Sequence, residues 1–339
     1  MNPNGNEDRC AGCVDAPAAT GVDFAHRSQH PGQRPRTAWS DVATTAALAA
    51  LAPIAWTCPA DWWPRVGKLG SALACGLHLR ASDETLDAIE GARIGPPGSA
   101  RRVAEQLAAH RIEQRLQVLR ELSPRRWRPN VTVHGLEHIE QGLARGRGVV
   151  LWVSHFVFAS SVAKIALHRA GLPVVHLSRP EHGFSKTRLG IALINPLRRH
   201  SEDRHLAGRI EIERQHVWTA MRRLRNLVAG NGIVSMTVGD WEGHRIAWVP
   251  FLGGRLPIAT GAPKLALQSG ATLLPVHVLR RPSLDGFDLF IEPSLLPASG
   301  EDPADALSEA VAGYADGLAR RVRQAPGQWR GWAALGKRA

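Results

Sequence analysis

Of the fifteen histidines in this 339-residue chain, His155 stands out by position. It follows residues 148–154 (GVVLWVS), a continuous apolar, β-branched run that predicts a buried strand. Ligands of open α/β sheets bind at the carboxyl ends of strands, so an imidazole emerging there is better placed for proton transfer than one on a helix face. A second cluster, Gly239-Asp240-Trp241-Glu242-Gly243-His244-Arg245, follows another predicted strand at 233–238. Two carboxylates, a glycine turn and an arginine at a strand end suit a polyol or a phosphate, although the same residues also make an ordinary charged hairpin loop.

Other chemistries lack their residues. Ser154 and Ser160 flank His155, but no Gly-x-Ser-x-Gly elbow accompanies them, which argues against a serine hydrolase. Gly230-Asn231-Gly232 and Gly253-Gly254 are turns and build neither a dinucleotide nor a P-loop fingerprint. Cys10 and Cys13 form a CxxC without the second pair that a four-ligand zinc site needs, and four cysteines make no disulfide framework. We therefore expect no metal and a reducing compartment. The net charge of +12 is almost all arginine, since only Lys68, Lys164, Lys186, Lys264 and Lys337 are lysines among 42 basic residues, and it implies an anionic partner. No helix-turn-helix, zinc-finger or RNA-binding signature makes that partner nucleic acid.

The elements that must carry these residues divide the chain in three. Residues 1–37 have no apolar periodicity and read as a flexible leader that is not a secretory signal. Residues 38–128 read as an N-terminal helical region. Within it, 42–60 (VATTAALAALAPIAWTCPA) is uncharged, is flanked by Trp39, Trp56, Trp62 and Trp63, and predicts a membrane-associated helix just long enough to span, the alternative being a buried core helix. A helix follows at about 84–121. From 129 to 335 the texture alternates, with strands expected at 148–154, 172–177, 233–238, 246–252, 271–279 and 287–292. Helices are expected at 161–170, 188–199, 211–229, 263–269 and 303–323. The fold class is α/β, a mixed central sheet flanked by helices behind an N-terminal membrane-associated segment.

Taken in order, these segments resemble the bacterial lipid A biosynthesis (late) acyltransferase family of the lysophospholipid acyltransferase superfamily. The likeness rests on Gly135-Leu136-Glu137-His138 with Gly146-Arg147-Gly148-Val149-Val150, and on His155 at the histidine of a His-x4-Asp/Glu motif. It continues through Val249-Pro250-Phe251-Leu252-Gly253, Thr260-Gly261, Leu265-Ala266 and Ser269-Gly270-Ala271-Thr272-Leu273-Leu274-Pro275, to Pro326-Gly327-Gln328-Trp329-Arg330-Gly331-Trp332. It covers about 39–332.

The resemblance implies transfer of a fatty acyl group from an acyl thioester, carried by acyl-carrier protein or coenzyme A, to a hydroxyl of a membrane lipid or glycolipid. No cofactor, metal or covalent enzyme intermediate is implied. His155 would be the general base, and the enzyme would work on the cytoplasmic face of the bacterial inner membrane. Arg179 beside Pro180, with Arg188 or Arg198 on the next helix, sits where the family bears its second arginine block and would grip an acceptor phosphate or sugar, unless these arginines only solvate a helix face. Glu242-Gly243-His244-Arg245 is similar to the superfamily's Glu-Gly-Thr-Arg acceptor-phosphate motif. Phe156 and Phe158 could line an acyl path or simply pack in the core.

One position departs from the pattern: the acid of the His-x4-acid motif is Ser160. Another acid (Asp240, Glu242 or Glu181) then reaches His155, or Ser160 only orients it in a slow enzyme, or the chain is a non-catalytic lipid- or acyl-binding relative.

Overall fold

A computed structural model describes residues 21–26, 34–76, 81–212, 217–238, 245–297 and 302–336. The amino-terminal helices come first in the architecture: α1 (Trp39–Thr57), α2 (Trp63–Gly76), α3 (Asp83–Gly91) and α4 (Ala100–Glu121). The single helix expected over 84–121 is therefore two, broken where Pro96 and Pro97 remove backbone donors. Helix α4 is the scaffold of this group. It packs against α1 and α2, and its buried Glu113 and Gln114 reach Arg280 and the Val157 carbonyl.

Helix α1 buries only Asp41, Leu48 and Ala55. It is pinned to its neighbour by Trp56, whose indole N–H donates to the Leu119 carbonyl (3.1 Å), and by Arg120, whose guanidinium donates to the Cys58 carbonyl (2.5 Å). Among the described residues no helix is long and apolar enough to cross a membrane, so the spanning form of the 42–60 expectation does not hold. Its alanines and threonines are too weakly apolar, and interior Pro53 falls near its end.

The central sheet has seven strands in the order β2-β10-β9-β3-β6-β4-β5. These are β2 (Val131–His134), β3 (Val149–Val153), β4 (Val174–Ser178), β5 (Gly208–Glu211), β6 (Ile233–Thr237), β9 (Thr272–Arg280) and β10 (Phe287–Ile291). All neighbours are parallel except the antiparallel β9–β10 pair, which makes the sheet mixed as expected. Strand β3 sits in the middle with all five residues buried, as a continuous apolar run requires when helices cover both faces. Those helices are α5 (Leu136–Ala144), α6 (Ala159–Arg169), α7 (Arg188–Leu193), α8 (Asn195–Asp203), α9 (Val217–Ala229), α10 (Gly261–Ser269) and α11 (Pro303–Gln324). The helix expected at 188–199 is also two, because buried Asn195 turns its side-chain oxygen back to the Phe184 and Ser185 amides (2.8 and 2.9 Å) and Pro196 follows.

A second, three-stranded sheet in the order β1-β7-β8 comprises β1 (Asp23–His26), β7 (Arg245–Phe251) and β8 (Gly254–Ala259). Leu252 and Gly253, both at positive φ (46° and 78°), make the tight turn between β7 and β8. Strand β1 falls within residues 1–37, the expected leader. It pairs antiparallel with β7, Asp23 opposite Trp248 and His26 opposite Arg245, and Val22 beside it is buried. Four residues are too short a run for periodicity to reveal, and the open edge of β7 supplies the order. Residues 1–20, including Cys10 and Cys13, lie outside the described residues.

Candidate active site

The end of β3 is fixed from both sides. The Val238 amide donates to the Val153 carbonyl (2.7 Å), while the Ser154 amide and hydroxyl both donate to the Val276 carbonyl (2.8 and 3.1 Å). His155 follows where the chain leaves the sheet. The residues after it are held by the carboxyl-terminal segment, which lies against them as a strap. Arg330 N–H donates to the His155 carbonyl (3.0 Å), Val157 N–H donates to the Gln328 carbonyl (2.8 Å), and Phe156 forms a single β-bridge with Trp329. The Gln328 side chain closes the other side by accepting from the Arg280 amide (2.8 Å) and donating to its carbonyl (3.1 Å). Trp329 packs on Phe251 and Trp332 at ring separations of 5.2 and 4.9 Å. The terminal motif read from the sequence thus positions His155.

Phe156 and Phe158 are core residues, each at most 1% exposed. Phe158 meets His110 and Phe287 edge-on, which favours core packing over an acyl path.

His155 itself is half-buried, and its Nδ1 is enclosed with no hydrogen-bond partner among the described residues. Burial, then the positive charges of Arg330, Arg198 and Arg111, hold its proton affinity well below the ordinary histidine value. The imidazole is neutral near pH 7, the state in which it accepts a proton.

Ser160 does not take the carboxylate's place on His155. Its hydroxyl oxygen accepts from the Arg198 guanidinium (2.6 Å) and from the Gln114 side-chain amide (3.1 Å), which also donates to the Val157 carbonyl. Behind Arg198 stands a carboxylate that the sequence did not single out, Glu202, 2% exposed. It accepts from Arg198 Nε (3.1 Å), Arg209 Nη2 (3.0 Å), Lys164 Nζ and His182 Nε2 (3.0 and 2.8 Å to its two oxygens). These cations and hydrogen bonds outweigh burial and keep Glu202 ionised, its pKa well below the usual carboxylate value. An ionised carboxylate only accepts, so His182 Nε2 carries the proton and its Nδ1 is left with a lone pair. Burial lowers the His182 pKa to about 4, and that of Lys164 to about 8, against the pull of Glu202.

Ser160 and Arg198 therefore come together, and Gln114 joins Ser160 to the Val157 carbonyl two residues after His155. Arg179 ends up at the close of β4, half-buried, and Glu181 pairs with Arg34. Arg188 is exposed at the start of α7, where its backbone amide donates to the Pro35 carbonyl (3.0 Å). Arg245 opens β7 and is exposed. Asp240, Glu242 and Gly243 lie outside the described residues. Among the described residues no three His, Cys, Asp or Glu side chains gather to hold a metal. A cleft of about 720 Å³, lined in part by Glu84, Asp87, Arg93, Leu252 and Leu335, includes none of these site residues.

Gln114, His182 and Glu202 escaped the sequence reading because they join His155 only through contacts across tens of residues. The one local signal was the four-residue spacing of Arg198 and Glu202 on a helix.

The model of the bacterial lipid A biosynthesis acyltransferase family matches residues 106–332, more than half of the chain. The chain belongs to this family. The match begins inside α4 before Gln114 and ends at Trp332, so every site residue described above falls within it. The family is one of acyltransferases of lipid biosynthesis, and the sheet strands from β2 on and the strapped His155 turn lie within the matched residues. A search of curated proteins gives no match.

Proposed function

We propose that this protein transfers a fatty acyl group from an acyl thioester, carried by acyl-carrier protein or coenzyme A, to a hydroxyl of a membrane lipid or glycolipid, with His155 as general base. The observation that carries the reading is a neutral imidazole at the carboxyl end of β3 inside the family match. His155 takes the hydroxyl proton as the oxygen attacks the thioester carbonyl and the C–O bond forms. The tetrahedral adduct then collapses, the C–S bond breaks, and the imidazolium returns the proton to the departing thiolate. No cofactor enters this balance. Arg179, half-buried at the close of β4, is the cation we assign to an acceptor phosphate or sugar, whereas Arg198 is enclosed and already donates to Glu202 and Ser160.

The acceptor sits in a bilayer, and we place the enzyme on the cytoplasmic face of the bacterial inner membrane. The supporting feature is an apolar face at the start of α1 and α7. Trp39 (88% exposed), Val42, Leu189 and Leu193 point outward there, and the Arg188 and Leu189 amides tie α7 to the Pro35 and Arg36 carbonyls just before α1. Exposed Arg36, Lys186 and Arg188 border it, as anionic headgroups require.

A second reading, a non-catalytic lipid- or acyl-binding relative, is favoured by the orphaned Nδ1 of His155 and by Ser160. Thioester turnover with a polar lipid extract separates the two. Acylated lipid from wild type and none from His155→Ala supports transfer, whereas lipid binding without turnover from either donor supports the binding protein.

A further inference from the structure

Position 160 lacks a carboxylate, yet one lies a helix away. Resting on the acyl-transfer reading of the His155 site, we propose that Glu202 is the acid of that site, acting from α8 through Arg198 on Ser160, the residue at the acid position of the His155 motif. Arg198 bridges the two positions. Its Nε donates to Glu202 Oε1 (3.1 Å) and its Nη2 donates to Ser160 Oγ (2.6 Å), so the residue at the motif's acid position is tied to a carboxylate by one guanidinium. A carboxylate at 160 would compete with Glu202 for Arg198, while a hydroxyl accepts from Arg198 and leaves the Glu202 pair intact.

The surroundings of Glu202 point the same way. Lys164, Arg198 and Arg209 are as enclosed as the carboxylate, with side chains at most 8% exposed, whereas the His182 side chain is 22% exposed. The buried charge thus opens to solvent through an imidazole whose tautomer it fixes, while Arg198 reaches Ser160 and, through Gln114, the Val157 carbonyl two residues from His155. In acid–imidazole catalysis the carboxylate bonds the imidazole that takes the proton, whereas Glu202 bonds a neighbouring imidazole and an arginine and so acts at one remove.

Glu202 is a positioning residue. When His155 gains a proton, the imidazolium forms amid Arg330 of the strap, Arg198 of α8, His182 of the β4–α7 loop and Arg111 of α4. Glu202 supplies the offsetting negative charge and holds Arg198, and with it Ser160, in the first turn of α6.

The test compares full-length wild type, Glu202→Gln and Glu202→Gln with Ser160→Glu. It reads both the titration of 15N-labelled His155 and steady-state kinetics with acyl-coenzyme A or acyl-carrier protein. In Glu202→Gln we expect His155 to titrate at lower pH, and kcat to fall about 100-fold with the thioester KM within about threefold. Restoring a carboxylate at 160 in the double variant is expected to recover about tenfold. A folded Glu202→Gln protein with wild-type His155 titration and kcat overturns the proposal, as does a double variant without recovery. Should Glu202→Gln not fold, Arg198→Lys keeps a cation for the carboxylate but breaks its bridge to Ser160. A loss of about tenfold in kcat is then expected, and unchanged kcat overturns the proposal. Wild-type protein without turnover would refute the acyl-transfer reading instead, and the His155 titration would still decide on Glu202.

Discussion

An imidazole that faces guanidinium groups and has no carboxylate on its Nδ1 binds a proton poorly, and this governs how His155 behaves in acid. Its pKa lies well below the ordinary value, so lowering the pH from 8 to 6 leaves the base unprotonated. The kcat/KM profile is expected to be level through pH 6.5, and an acid limb centred there would contradict the assignment. His155→Ala is expected to lower kcat by about 10² to 10⁴, read by single-turnover assay. His155 was legible in the sequence because a strand end is a local feature. Ser160 was legible as a departure from the motif, but its partners were not. Gln114 reaches it from 46 residues away and Arg198 from 38, and no period or spacing encodes such contacts.

Elements place that imidazole, and the carboxyl-terminal strap is the one that does so most directly. Gln328→Ala would orphan the buried Arg280 amide and carbonyl and is expected to cost about 1–3 kcal/mol, measured by denaturant unfolding. Activity should fall further than stability, because the Gln328 backbone holds the His155–Val157 turn. Gly331→Ala should act likewise, since a β-carbon there runs into the Trp329 ring. The long apolar strands β3, β6 and β9 were readable as runs, and so was the mixed sheet. Strands β1, β5 and β8 were not, being four to six residues long and only partly buried. The α1–α7 apolar face was half readable. Tryptophans and an uncharged stretch announced α1, whereas α7 joins it through backbone hydrogen bonds that leave no trace in composition. Trp39→Ser with Leu193→Ser is expected to reduce co-sedimentation with anionic vesicles several-fold, and unchanged sedimentation would remove that face from the account.

Across the whole molecule, acid works against the fold through its buried histidines. His110 and His182 have pKa values lowered to about 4 and His277 to about 3, while His155 and His176 lie well below the ordinary value, burial being the first cause in each. The unfolded chain binds protons at these sites near pH 6.5 and the folded one does not. Their contribution is complete above about pH 6.5 and is lost as pH falls toward 4, by roughly 1 kcal/mol per pH unit for each titrating group. The melting temperature should therefore drop steadily from pH 6.5 to 4, and a flat profile would contradict this burial. The net charge of +12 adds a second whole-molecule expectation, that vesicle binding weakens as salt is raised. The central claim, acyl transfer at His155, is tested most directly by acyl-thioester turnover of detergent-purified protein. The assay supplies acyl-coenzyme A or acyl-carrier protein with a total polar lipid extract and compares wild type with His155→Ala. The account predicts an acylated lipid from wild type and none from the variant. Equal product from both proteins, or none from wild type with either donor, would contradict it.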